Sequence, residues 1–206
     1  RDLNRLERVG ETLRAALNSV AVVAPEGLQT LAPPEWYERY GRRVENYSLP
    51  KTDAARPALA ATIGADGQFL LQAVDTATEH GWLGKVPAVQ TLRRVWAEQY
   101  IESEGTLVWR PVKDMPSPAE LIASPYDPEA RYSTQRSVEW VGYKVHLTET
   151  CDPATPHLIV NVETTPATTP DDNMLAVVHA SLAARNRLPA EHLVDNQQIG
   201  LDHRGG

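Results

Sequence analysis

Tyr126-Asp127-Pro128-Glu129-Ala130-Arg131-Tyr132-Ser133-Thr134-Gln135-Arg136 runs, three residues later, into Trp140-Val141-Gly142-Tyr143-Lys144-Val145-His146-Leu147-Thr148-Glu149. In the second half of this stretch Val141, Tyr143, Val145 and Leu147 alternate with Gly142, Lys144, His146 and Thr148, so one face is apolar and the other polar. A period of two predicts a half-buried strand. Leu158, Val160, Val162 and Thr164 repeat the alternation after the turn-rich Cys151-Asp152-Pro153-Ala154-Thr155-Pro156, which predicts an antiparallel partner. Thr169-Pro170-Asp171-Asp172 combines an N-cap, a first-turn proline and acids suited to a positive helix end, with Asp172 placed to close a capping box. The helix that follows buries Leu175, Val178 and Leu182 and ends at Leu188-Pro189, before the short apolar run His192-Leu193-Val194. The order is strand, strand, helix, strand. In an α/β sheet it puts Asp195, at the carboxyl end of the last strand, on the side where ligands bind.

Upstream the period changes to that of helices. Leu3, Leu6, Val9, Leu13, Leu17 and Val20 recur at three- and four-residue steps, predicting an amphipathic helix that ends before Pro25. Shorter helices are expected from Pro34 to about Val44, with Trp36, Tyr37 and Tyr40 as an aromatic packing face, and from Asp53 to Gly64-Ala65-Asp66-Gly67, where the glycines break or end the segment. Further helices are expected over Phe69 to Thr78 and from Pro87, with Val89, Leu92, Trp96 and Tyr100 on one face. After Gly105 comes a short strand, Thr106 to Arg110, and then Met115 to Pro128, whose prolines keep the backbone extended or turning. The expected organisation is therefore α+β / α/β: a helical region over 1–104, a sheet-bearing core over 105–195 and a tail over 196–206 without periodicity.

Composition bounds what such a chain does. Its 206 residues and 42% hydrophobic content suit a sizeable core, and no run approaches the apolar length that spans a bilayer. The expectation is a soluble, cytoplasmic protein. A net charge of -7 argues against general affinity for a polyanion, so a local motif has to outweigh the average. The lone Cys151 has no disulfide partner and no activating histidine or acid at useful spacing. Arg1 falls directly inside a helical pattern, which reads as a piece of a longer chain.

A carboxylate at a buried strand end suits a magnesium-dependent phosphoryl-transfer site, but two-metal chemistry needs two or three converging acids and the sequence offers Asp195 alone. Capping accounts for Asp171 and Asp172. Lys144 and His146 share a strand face, with Arg131 and Arg136 just upstream, and arginine forks suit phosphate. His157, His179 and His192 lack zinc-ligand spacing, and neither GxGxxG nor GxxxxGK[ST] is present.

The Tyr126–Glu149 stretch, together with Pro33-Pro34-Glu35-Trp36-Tyr37-Glu38-Arg39-Tyr40-Gly41, Thr91 to Tyr100 and Val162-Glu163-Thr164-Thr165-Pro166-Ala167-Thr168, resembles a bacterial insertion-sequence transposase of the DDE type. The resemblance implies a ribonuclease H-like catalytic core, here an incomplete mixed sheet, and DNA cleavage and strand transfer with Mg2+ held by three acids. It implies that Asp195 is the second acid, both catalytic and metal-binding, and that Arg131, Arg136, Lys144 and His146 lie near DNA. Where the family continues with a small residue, a glycine and a tyrosine, this chain has Asn196-Gln197-Gln198. The first acid and the glutamate fall outside the sequence, so the expectation is a fragment of a transposase, inactive by itself and prone to self-association. Two other readings stand beside it: a residual DNA-binding or inhibitory module, and an unrelated acidic helical interaction protein.

Overall fold

The computed structural model describes residues 3–43, 45, 48–52, 54–76 and 81–194. Asp53, Thr78, Asp195 and the 196–206 tail lie outside the described residues. Helices and strands are mixed in an α+β chain that divides into two compact units, 1–141 and 142–206. The change of sequence period at Gly105 falls earlier than this division, because the proline-rich stretch after it packs into the helical core through the fully buried Ile122.

The first unit is helical. Helix α1 (Arg5–Val23) opens with a capping box, in which Asn4 accepts from the Leu6 and Glu7 amides and Glu7 reaches back to the Asn4 amide. Its buried stripe of Leu6, Val9, Leu13, Leu17 and Val20 follows the predicted spacing. Two short helices follow, α2 (Pro25–Leu31), which the sequence reading passed over, and α3 (Glu35–Tyr40), which buries Trp36 and Tyr40 but exposes Tyr37. Helix α4 (Ala55–Thr76) is unbroken, so the expected interruption at Gly64 and Gly67 does not occur. Those glycines make room instead: a Cβ on Gly64 would stand 2.5 Å from the Tyr100 ring, and one on Gly67 2.1 Å from the Trp96 ring. Both rings come from the end of helix α5 (Pro87–Gln99), which the first-turn proline starts as predicted. The core is the shared interior of α1, α4 and α5.

Tyr100 ends that helix and begins strand β1 (Tyr100–Ser103), which pairs antiparallel with β2 (Thr106–Trp109). The helical region expected over 1–104 therefore gives way to a strand at Tyr100. Glu104 and Gly105 both take positive φ, 52° and 74°, which is the two-residue hairpin turn that glycine at the second position favours. A three-stranded sheet follows in the order β3 (Arg131–Gln135), β4 (Val138–Glu149), β5 (Ile159–Pro166), and the unit division falls inside β4. Arg136 and Ser137 form the β3–β4 turn with φ of 48° and 69°.

In the second unit β4 and β5 pair antiparallel, as the sequence predicts, with Lys144 opposite Thr165 and Leu147 opposite Val162. The burial is the reverse of the prediction. Tyr143, Val145, Leu147 and Val162 are exposed, whereas Lys144, His146 and Thr148 are partly covered and Asn161 is buried. The cause is helix α6 (Met174–Ala184), which packs on the polar face and supplies that interface with its own Met174, Val178 and Leu182. Polar bonds join the layers: Ser181 Oγ donates to Asn161 Oδ1 at 3.1 Å, and Arg185 donates to the same oxygen.

Helix α6 starts without the predicted cap. A 3-10 turn over Asp171–Asn173 leads into it, with Pro170 and Asn173 at the two N-cap positions, and neither turn nor helix has a side-chain cap. Its end is a Schellman closure: Asn186 takes φ 54°, its amide donates to Ala183 O, and the Arg187 amide donates to Leu182 O. Residues 192–194 form no strand, which corrects the expected strand-strand-helix-strand order. Three residues without a neighbouring ladder have nothing to hold them extended.

Candidate functional site

In the first unit the Tyr126–Arg131 motif is a clamp. The Tyr126 hydroxyl donates to the buried carboxylate of Glu11 and accepts from Arg14 Nη1 at 3.3 Å. Asp127 Oδ1 accepts from the Glu129 and Ala130 amides, both at 3.2 Å, which sets the turn. Arg131 donates to three main-chain carbonyls, those of Ala119 at 2.8 Å, Pro128 at 2.6 Å and Ala130 at 3.1 Å. Glu98 of α5 accepts from the Ile122 amide at 3.2 Å. Burial, followed by the neighbouring Glu11, raises the Tyr126 hydroxyl above its ordinary pKa, and burial does the same to the Glu98 carboxyl. Together these contacts bind the proline-rich stretch to helices α1 and α5.

Arg131 and Arg136 thus lie at opposite ends of β3 with different surroundings. The first has its guanidinium on backbone carbonyls, and the second stands exposed in the β3–β4 turn.

Lys144 and His146 come together in the second unit, two residues apart on the face that α6 covers. Lys144 Nζ donates to Thr169 O at 2.9 Å and to Asp171 Oδ1 at 3.0 Å. With the pair only partly solvent-exposed, this charge-assisted bond ties β4 to the start of α6. His146 Nε2 lies 3.1 Å from Thr165 Oγ1, across the ladder. A cavity of about 210 Å³ opens beside them, lined by His146, Asp171, Met174, Val178, His192 and Val194. His192 reaches it from the irregular segment after α6 and also meets His179 of that helix.

The sequence reading found Lys144 and His146 but not Thr165, the ion pair to Asp171, or the joining of His179 and His192. Strand alternation places the first two on one face; the others depend on how the helix settles on the sheet. Asp195, the acid singled out by sequence, lies outside the described residues. Among the described residues no three His, Cys, Asp or Glu side chains group so as to hold a metal ion. No helix among them is long and apolar enough to cross a membrane. Compared with family models, with curated proteins and with solved structures, the chain has no match.

Proposed function

We propose that this chain is part of a bacterial DDE-type insertion-sequence transposase with a ribonuclease H-like core, that its partner is DNA, and that Asp195 is one of the family's metal-binding carboxylates. The observation that carries the proposal is the sequence run Tyr126–Glu149, followed in order by Val162–Thr168 and His192-Leu193-Val194-Asp195. An antiparallel strand pair followed by a helix ahead of Asp195 is compatible with it. An exposed arginine in the β3–β4 turn, Arg136, is a reasonable phosphate contact.

The described residues do not fit Mg2+. One carboxylate is too little charge to hold that cation against its own hydration shell, and the described acids form no cluster. No metal-dependent step is therefore assigned to this chain, which is proposed to be silent in strand transfer by itself. Its own residues do other work: Lys144 fixes the turn before α6, and Tyr126, Asp127 and Arg131 fix the segment before the sheet.

Binding of the purified chain to duplex DNA carrying the element's ends, measured over a salt series, tests the reading. Binding that weakens as salt rises and weakens further in Arg136→Ala is expected. Salt-independent or absent binding would overturn the DNA contact. Turnover of the same DNA in the presence of Mg2+ would overturn the assignment of catalytic silence.

A further inference from the structure

The segment that follows α6 is irregular in its backbone but anchored at its far end. After the Schellman closure at Asn186, the chain returns to α6 at His192, whose Nδ1 lies 2.8 Å from Nε2 of His179, with the ring centroids 5.0 Å apart. A hydrogen bond between two imidazoles needs one nitrogen to donate and the other to accept. The pair tolerates a first proton, since the donor ring can carry it on its other nitrogen. A second proton removes the acceptor and brings two cations into contact. We propose that His179 and His192 form a proton-sensitive clasp, which holds the chain at His192 against α6 at neutral pH and releases it in acid.

The groups around the clasp fit this behaviour. His146 and Asp171 share the 210 Å³ cavity with His192, and Asp171 is already engaged by Lys144. A second cavity at His192 is lined by Glu149 at the end of β4, by Cys151 just after it, and by Arg187 and Glu191 from the segment itself. Burial first, and His179 second, hold His192 below the ordinary histidine pKa. A depressed folded value means that the unfolded chain binds more protons. The clasp's contribution is thus fully present above the unfolded value of about 6.5 and is lost as pH falls through the folded one. The inference concerns this chain's own histidines and does not depend on the transposase reading.

Backbone amide NMR relaxation of the whole 206-residue chain, followed from pH 7.5 to pH 5, reads the clasp directly. Order parameters of the amides around His192 are expected to fall from about 0.85 to below about 0.6 across that range in the wild type. His179→Ala removes one of the two rings and is expected to show the low order parameters at every pH. His192→Asn offers an amide that can donate or accept in place of Nδ1 and takes up no proton, so the order should persist at pH 5. Wild-type order parameters that do not change with pH, or an Asn variant as acid-sensitive as the wild type, would overturn the proposal. Far-ultraviolet circular dichroism of each variant shows that the rest of the chain remains folded.

Discussion

Trp96 lies against Gly67 so closely that a Cβ on the glycine would stand 2.1 Å from the indole ring, while the indole Nε1 donates to the carbonyl of Gly64 at 2.9 Å. Tyr100 repeats the arrangement one turn along, donating its hydroxyl to Ala60 O at 2.8 Å. Helices α4 and α5 are therefore locked by two aromatic rings fitted over two glycines and hydrogen-bonded to the backbone beneath. Gly67→Ala improves helix propensity but forces the ring out of its place, and overpacking of this kind costs about 1–3 kcal/mol. A lowered midpoint in urea unfolding is expected; an unchanged or raised midpoint would sink this account of the glycine.

Removing the ammonium that holds the start of α6 should loosen the second unit. Lys144→Met keeps the aliphatic stem but leaves Asp171 and the Thr169 carbonyl without their shared donor. A loss of about 1–2 kcal/mol is expected for a partly buried charge-assisted bond. The readout is faster amide exchange through Met174–Ala184, with the helices of the first unit unaffected.

Glu98 offers a test with a defined pH sign. Its folded pKa is raised by burial, so the folded state binds more protons than the unfolded state between the two values. The stability it contributes is present below the unfolded value of about 4.3 and is lost as pH rises through the folded value. Glu98→Gln keeps an acceptor for the Ile122 amide without the charge. Thermal melts should find the variant at least as stable as wild type at pH 7, with the difference shrinking toward pH 4. A variant less stable at pH 7 would refute the burial argument.

The β3–β4 turn carries two side-chain-bearing residues with positive φ, Arg136 and Ser137. L-residues pay a steric cost in that region which glycine avoids. Ser137→Gly is expected to stabilise the chain by about 0.5–1 kcal/mol, net of the added freedom of the unfolded chain. Chemical denaturation measures it, and a destabilised variant would contradict the assigned turn.

Sequence by itself determined the elements whose signals are local. The three- and four-residue spacing in α1, the first-turn proline of α5 and the alternation in β4 and β5 each appear in the structure where the pattern puts them. Local signals do not say what an element packs against. Tertiary structure alone decided that Gly64 and Gly67 seat aromatic rings, that Arg131 and Asp127 fasten the Tyr126 motif to main-chain groups, and that α6 covers the polar face of β4 and leaves the apolar one outward. The physical reason is that periodicity records which side chains share a face, whereas burial depends on the neighbour that arrives there. Here that neighbour brought its own apolar side chains and found ionic and hydrogen-bonding partners in Lys144 and Asn161.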